Sequence, residues 1–317
     1  MKITEHIADS KNTLFSFEII PPKKGASIKD LFDHIDPLME FNPPFIDVTY
    51  HREEYVYKKH PNGLLEKKSI KKRAGTVGIC AAIQGRYKVD AVPHLICGGF
   101  TKEETENALI DLNFLGIDNI LALRGDPIKS EPGFVPEPDG HAYATDLIEQ
   151  IQDMNQGKYL DEEVQNAVPT NFCIGAAAYP EKHFEAPNLR FDIEWLKKKV
   201  DLGAEYFVTQ MFFDNSKYFE FVEKSRKEGV DIPIIPGLKP ISTKNHLTIL
   251  PKIFNLDLPD DLVDEVQKCE DNKAVKEVGI EWGIKQSKEL MDAGVPVLHY
   301  YSMGKSDAVY RIGKELF

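Results

Sequence analysis

Eight short runs rich in β-branched and aromatic residues recur along the 317-residue chain. They cover residues 13–20, 45–50, 91–97, 119–125, 172–180, 206–213, 232–238 and 295–301. Between them lie stretches with helical spacing of apolar residues, most clearly 101–116, 191–203 and 272–294. Eight strands that each precede a helix predict an α/β protein, a single (β/α)8 TIM barrel over residues 1–317.

A doubly wound open sheet is the alternative fold for such a pattern. It is disfavoured because eight regular units fill the chain and no G-x-G-x-x-G follows the first strand. The segment 76–90, with the apolar piece "TVGICAAI", fits none of the assigned units. A long proline-rich loop, "GDPIKSEPGFVPEPDGHAY", follows the fourth strand on the face where barrels keep their sites.

Charge and cysteine content narrow the class of protein. A formal net charge of −12 argues against a nucleic-acid partner, and we expect the basic cluster "EKKSIKKR" at 66–73 to be a solvated helix face. Four scattered cysteines without a C-x-x-C pair predict neither a metal site nor a disulfide framework. No apolar run approaches the roughly 20 residues of a membrane span, so we expect a cytoplasmic protein.

Polar residues stand at the ends of seven of the predicted strands. In a barrel these ends meet at one face, where ligands bind. The residues are Glu18, Thr49, Tyr50, His94, Arg124, Asp126, Tyr179, Gln210, Tyr300 and Tyr301. Their convergence predicts a binding site at the mouth of the barrel.

Glu18 lies in the run "FSFEII", with apolar neighbours on both sides. Burial in such a strand would raise the pKa of its carboxyl group, which suits a general acid near neutral pH. The alternative is a structural ion pair with a cation such as Arg124. In "LRGDP", Gly125 would allow close approach of a ligand to the backbone and Asp126 would present charge to it, unless Arg124 and Asp126 form a structural pair in a turn.

A series of motifs resembles the methylenetetrahydrofolate reductase family. They run in order from residue 15 to residue 301: "FSFEIIPPK", "FIDVTY", "PHLIC", "NILALRGDP", "AYATDLI", "AAAYPEKHFEA", "KKKVDLGAEYFVTQMFFD" and "IIPGLKPI". In length the chain is similar to the compact bacterial members, so a regulatory domain is not expected. The resemblance implies a barrel that carries FAD at the C-terminal face of its strands, and a homo-oligomer.

The resemblance also implies the reaction and the residues that perform it. NAD(P)H would reduce FAD and leave, and 5,10-methylenetetrahydrofolate would then be reduced to 5-methyltetrahydrofolate, which supplies methyl groups for methionine synthesis. Glu18 would be the general acid and Asp126 would stabilise developing positive charge. Residues matching the FAD-contact motifs are Thr49, Tyr50, His94, Arg124, Gly125, Asp126, Tyr143, Ala144, Tyr179, His183, Asp192, Lys198 and Lys199.

Substrate contacts implied by the resemblance are Gln210, Tyr301 and Lys305. Lys305 stands in "YYSMGK" where the family has an arginine for the folate glutamate tail, and an aromatic stacking position falls at about Leu250. A flavin-free folate-binding methyl-transfer barrel is the alternative function, and the retained FAD-contact series disfavours it. The choice between NADH and NADPH stays open, because no Rossmann unit is present to read the ribose.

Overall fold

The structure is a computed structural model that describes residues 1–128, 131 and 133–317. Its strands are β1 (Leu14–Ile19), β2 (Phe45–Val48), β3 (Glu54–Lys59), β4 (Leu65–Ile70), β5 (Asp90–Ile96), β6 (Asn119–Leu123), β7 (Cys173–Ala178), β8 (Tyr206–Thr209), β9 (Ile234–Ile235), β10 (Gly237–Leu238) and β11 (Val297–Tyr301). The helices are α1 (Ile3–Asp9), α2 (Ile28–Ile35), α3 (Thr76–Tyr87), α4 (Lys102–Phe114), α5 (Ala144–Asn155), α6 (Leu189–Asp201), α7 (Asn215–Lys227), α8 (His246–Phe254), α9 (Asp260–Lys268), α10 (Asn272–Asp292) and α11 (Asp307–Leu316), with a 3-10 helix at Asp36–Phe41.

Nine strands form one parallel sheet in the order β10-β11-β1-β2-β5-β6-β7-β8-β9. β9 and β10 are consecutive in the chain and share one position, because Pro236 separates them and cannot donate a ladder hydrogen bond. β9 pairs with β8 and β10 pairs with β11, which closes the ring at eight positions. The predicted (β/α)8 barrel is therefore confirmed, as are all eight predicted strands.

Two apolar layers follow from the alternation of side chains along each strand. Outward-facing residues such as Phe17 and Ile19 pack against the surrounding helices in the larger cluster. Inward-facing residues fill the barrel: Ile3, Phe45, Val92, Leu121, Cys173, Tyr206, Val208, Ile235 and Val297. Ile3 belongs to α1, so this helix closes the N-terminal end of the barrel, and Asn119 fixes it by accepting a hydrogen bond from the Ile3 amide at 2.8 Å.

The prediction of a helix face at 66–73 was wrong. The cluster begins in β4, which pairs antiparallel with β3 in a hairpin outside the barrel, with Lys59 opposite Leu65. The two strands are joined by a tight turn in which Gly63 has a φ of 85°, a conformation that favours glycine. The lysines occur as adjacent pairs on both strands, Lys58–Lys59 and Lys67–Lys68, and such pairs are tolerated on an exposed strand as well as on a helix.

The unassigned segment 76–90 is now explained. Most of it is α3, the barrel helix that follows β2 and the hairpin, and β5 begins at Asp90. The three helices predicted most clearly correspond to α4, α6 and α10. None of the helices in the described part of the chain is both long and apolar enough to cross a membrane.

Candidate active site

A cavity of about 770 Å³ opens at the C-terminal ends of the barrel strands. Its volume is in the range of small-molecule and cofactor sites. The sequence-predicted residues that line it are Glu18, Thr49, Tyr50, His94, Arg124, Gly125, Asp126, Tyr143, Ala144, Tyr179, His183, Asp192, Lys199, Gln210 and Tyr301. Of the predicted residues, all of which lie in the described ranges, Lys198, Tyr300 and Lys305 are absent from the cavity wall. Most of the polar residues at the predicted strand ends therefore meet in one cavity at the mouth of the barrel.

Glu18 lies at the floor of this cavity with 7% of its surface exposed. Desolvation by burial raises the pKa of its carboxyl group to about 7, with the positive charge of His94 opposing the shift. The nearest charged partner is His94, whose Nε2 is 3.7 Å from Glu18 Oε2. Arg124 is bound elsewhere, so the structural ion pair considered for Glu18 is replaced by a contact with a histidine.

Asp47 is a functional candidate that the sequence reasoning missed. It is fully buried beside Glu18 in the β1–β2 register, and its Oδ2 accepts a hydrogen bond from His94 Nε2 at 3.2 Å. Its Oδ1 is buried without a hydrogen-bond partner among the described residues. Burial disfavours a charged imidazole, yet the hydrogen bond to Asp47 and the charges of Glu18 and Asp47 outweigh it and raise the pKa of His94. His94 thus lies between the carboxyl groups of Glu18 and Asp47, and both groups favour its charged form.

Another charged residue, Lys239, lies on the opposite side of Glu18 from Asp47 and His94. Tyr301 is in register with Glu18, and Tyr300 with Leu238, so Lys239 follows at the level of Tyr301. Burial lowers the pKa of the Lys239 ammonium to about 8, against the attraction of Glu18. The predicted run 232–238 ends directly before Lys239, so the strand-end reasoning applied to that run would have found this residue.

Arg124 makes contacts different from both predicted pairings. Its Nη1 donates to Glu185 Oε2 at 2.6 Å, and its guanidinium lies 5.1 Å from the centroid of Phe134. Asp126 stays on the cavity wall beside Gly125, whose φ is 84°. The "LRGDP" turn therefore presents Asp126 to the cavity while Arg124 is held at its rim.

Lys198 and Lys199 have separate environments although the motif places them together. Lys199 lines the cavity, where its Nζ donates to the Ala177 carbonyl at 2.8 Å, and burial lowers its pKa to about 8 against the attraction of Asp192. Lys198 is exposed, with its Nζ 4.6 Å from the ring centroid of Trp195. Successive residues of a helix point about 100° apart, so one of the two faces the cavity.

Aromatic side chains form one wall of the cavity. Trp195, which the sequence reasoning missed, stacks on Tyr143 with a centroid distance of 5.8 Å and an interplanar angle of 27°. His183 is half-buried, and the ring of Tyr179 meets it edge-on with 4.8 Å between the ring centroids. Burial, followed by the charge of Arg124, lowers the pKa of His183 to about 4, so this imidazole is neutral near pH 7.

Of the remaining predicted residues, some lie on the cavity wall and others lie outside it. The Tyr301 hydroxyl donates to the Thr209 carbonyl at 2.6 Å on the cavity wall, whereas Tyr300 is buried against the helices and its hydroxyl contacts Ser287 Oγ at 2.8 Å. Leu250 is buried in a separate apolar cluster, and Phe254, one turn later on α8, lines the cavity instead. The aromatic position expected at Leu250 is thus occupied by a neighbouring residue on the same helix.

Comparison with known proteins identifies relatives along the whole chain. The family model described as methylenetetrahydrofolate reductase matches residues 2–316. Methylenetetrahydrofolate reductase 1 of Schizosaccharomyces pombe is 32% identical over 100% of this chain and 48% of its own length, and methylenetetrahydrofolate reductase (NADH) 1 of Arabidopsis thaliana is 31% identical over 96% and 48%. The chain thus spans about half the length of these relatives. The 5,10-methylenetetrahydrofolate reductase of Escherichia coli is 29% identical over 94% of this chain and 88% of its own length.

A solved structure supports the fold independently. A Clostridium thermocellum protein, described as binding two copies of 5-methyl-5,6,7,8-tetrahydrofolic acid, aligns with a TM-score of 0.56 at 16% identity over 97% of this chain and 96% of its own. At this identity the likeness concerns the fold alone. The family match over residues 2–316 is the decisive comparison, and by it the chain belongs to the methylenetetrahydrofolate reductase family.

Proposed function

We propose that the protein is a flavoprotein oxidoreductase that reduces 5,10-methylenetetrahydrofolate to 5-methyltetrahydrofolate with NAD(P)H. The observation that carries the proposal is the buried, protonatable Glu18 at the floor of the barrel mouth, in a chain of this family. Relatives are named as reductases that use NADH or NADPH. A supply of methyl groups for methionine synthesis rests on the family resemblance. A cytoplasmic location and one catalytic domain over 1–317 rest on the sequence pattern and remain part of the proposal.

The cavity fits FAD as the resident cofactor. A buried ammonium group at Lys199 offers a counter-charge for a phosphate, and the Tyr143–Trp195 stack offers a flat apolar surface for a ring. FAD would be held by the cavity-lining members of the FAD-contact series, with Trp195 added and Lys198 outside. When bound, FAD would accept hydride from NAD(P)H and pass it to the folate in a ping-pong sequence.

Glu18 performs the proton transfer in this proposal. The one-carbon bridge of the substrate must open to an electrophilic iminium before hydride can add, and opening requires a proton on the folate amine. With a pKa of about 7, Glu18 is protonated in a large fraction of molecules at neutral pH. The carboxyl group therefore needs no unfavourable protonation step before it donates the proton.

Other residues orient the substrate and stabilise charge. Asp126 faces the cavity beside the Gly125 turn, where its carboxylate would stabilise the developing iminium. Gln210 and Tyr301 line the wall on either side of Thr209 and would contact the substrate rings in turn. Lys305 lies outside the wall, so its proposed contact is restricted to the glutamate tail of a folate that extends beyond the mouth.

Flavin absorbance provides the test of this function. Purified protein should be yellow, or become so with FAD. NADH or NADPH should bleach the flavin in a stopped-flow experiment, and 5,10-methylenetetrahydrofolate should restore the colour and yield 5-methyltetrahydrofolate. Running both nicotinamides identifies the physiological donor. Protein that stays colourless with FAD added would contradict the proposal and favour the flavin-free methyl-transfer barrel.

The pH dependence of the two half-reactions should differ. Burial raises the pKa of Glu18 to about 7, so the acid form is present below pH 7 and is lost as the pH rises through that value. The rate of folate reduction should therefore fall about tenfold per pH unit well above pH 7. Flavin reduction by NAD(P)H needs no proton from Glu18 and should lack this decline. A folate half-reaction that is flat from pH 6 to about pH 9 would exclude Glu18 as the donor.

A further inference from the structure

Arg52, in the loop after β2, is largely buried although its guanidinium group is always charged. Its side chain is 8% exposed. Its two terminal nitrogens contact different carboxylates: Nη1 donates to Glu131 Oε2 at 3.0 Å and Nη2 donates to Glu137 Oε1 at 3.1 Å. Both acids belong to the loop between β6 and α5. One guanidinium group therefore binds this loop at two points.

The stem of Arg52 lies against the turn that follows β5. A Cβ atom at Gly99 would be 3.0 Å from Arg52 Cγ, so a glycine at this position makes room for the arginine. At Gly98 a Cβ atom would be 3.2 Å from Phe134 Cε2, which belongs to the same β6–α5 loop. The Arg124 guanidinium contacts the ring of Phe134 as well. The loop is thus packed against the barrel beside two arginines.

The β6–α5 loop also forms part of the cavity wall. Asp126 and Ile128 line the cavity near the beginning of the loop, and Tyr143 lines it at the end. The Ile128 amide donates to Glu131 Oε2 at 3.3 Å, the same oxygen that Arg52 binds. A change at Arg52 would therefore be transmitted directly to residues that face the cavity.

We propose that Arg52 is a positioning residue that clamps the β6–α5 loop against the cavity and thereby slows the release of the bound cofactor. Both of its terminal nitrogens already contact carboxylates, which argues against a direct ionic contact with a phosphate group. The identity of the cofactor as FAD rests on the proposed function. The clamp itself consists of protein contacts alone and can be tested without a ligand.

Loss of the arginine and loss of one acid should have different effects. Without the guanidinium group, the carboxylates of Glu131 and Glu137 would be left partly buried without the cation that now binds both, and this cost favours an open loop. Glu137→Gln leaves the pair of Arg52 with Glu131 intact, and the amide oxygen can still accept a hydrogen bond. The clamp therefore depends more on the arginine than on Glu137.

Limited proteolysis of the apoprotein tests the clamp. Opening of the loop should expose Phe134 to chymotrypsin, and mass spectrometry identifies the products as residues 1–134 and 135–317. Arg52→Met should raise the cleavage rate at least about tenfold, because cleavage follows the population of the open form. Arg52→Lys should have an intermediate effect, since an ammonium group lacks the fork that binds two carboxylates. Glu137→Gln should change the rate by less than about threefold.

Release of FAD from the loaded protein tests the consequence for the cofactor. Arg52→Met should release FAD at least about tenfold faster, measured by the recovery of flavin fluorescence after dilution. Adding Glu131→Gln and Glu137→Gln to Arg52→Met should slow the release again, because no unpaired charge is then left in the contact. A triple variant that releases FAD as fast as Arg52→Met would overturn the clamp in favour of a direct contact between Arg52 and FAD.

Arg311→Met is the matched control. Arg311 donates through both terminal nitrogens to Glu277 and does not line the cavity, so its replacement should leave cleavage and FAD release unchanged. Circular dichroism verifies that each variant is folded, and Arg52→Lys provides the comparison if Arg52→Met does not fold.

Two further results would contradict the clamp. Unchanged cleavage in a folded Arg52 variant would overturn it, and faster cleavage with unchanged release of FAD would overturn its effect on the cofactor. Protein that binds no FAD would contradict the proposed function, whereas the proteolysis of the apoprotein would still decide whether Arg52 holds the loop.

Discussion

Replacing Glu18 with glutamine should slow reduction of the folate by about 10²- to 10⁴-fold, the range that a positioned general acid contributes. Reduction of the flavin by NAD(P)H should change little, because that half-reaction uses no proton from the carboxyl group. Glutamine keeps the volume of the side chain on the crowded barrel floor, so the packing around it is preserved. The substitution therefore removes the acidic proton and keeps the shape of the cavity.

Stopped-flow spectroscopy measures both steps in the same sample. NAD(P)H bleaches the flavin in the first mixing step, and methylenetetrahydrofolate restores its absorbance in the second. Glu181→Gln is a matched control, since Glu181 is also a partly buried glutamate near the mouth but bonds to the Asp257 amide at 2.7 Å outside the cavity wall. Equal losses in both steps for Glu18→Gln would mean that the side chain holds the cofactor site together rather than donating a proton.

The neighbours of Glu18 explain how a carboxyl group can be both buried and protonatable. A fully desolvated acid would be permanently neutral, whereas His94 at 3.7 Å favours the ionised form and limits the rise of the pKa. Asp47 in turn favours the charged state of His94. The three groups thus keep the pKa of Glu18 near 7, where an acid can lose and regain a proton in every turnover.

The barrel could be predicted from the sequence because parallel strands covered on both sides appear as continuous apolar runs. The hairpin could not, since its strands lie outside the core and their lysines break the apolar pattern. α3 was hidden for another reason: "TVGICAAI" mixes a glycine, β-branched residues and alanines without a clear polar face. Both failures fall between β2 and β5, where the hairpin interrupts the strand–helix alternation of the barrel.

Strand ends could be read from the sequence more reliably than helix faces. The alternation that points Glu18 inward is fixed by the strand, and the same reasoning applied to "FIDV" would have found Asp47. Trp195 and Phe254 lie on helices whose rotation about their own axes is set by packing. No residue spacing in the sequence determines that rotation. Leu250 was named from its position in the family motif, and the helix turns Phe254 toward the cavity instead.

Lys198 and Lys199 are adjacent on one helix but face solvent and the cavity respectively, so their substitution tests which of them binds FAD. Lys199→Met should weaken FAD binding to the apoprotein at least about 30-fold, because removing one member of a buried charge pair costs about 2 kcal/mol or more. Lys198→Met should change the affinity by less than about fivefold, since the Lys198 ammonium is exposed and solvent screens its charge. Methionine keeps most of the side-chain volume in both variants, so the comparison isolates the charge.

Titration of apoprotein with FAD, followed by quenching of flavin fluorescence, gives both dissociation constants. Lys199 also donates to the Ala177 carbonyl, so thermal unfolding of the apoprotein should accompany the titration and reveal any general loss of stability. A weakened affinity at unchanged apoprotein stability assigns the effect to the ammonium group itself. Equal losses for both variants would instead mean that the phosphates lie outside the cavity wall, within reach of either lysine.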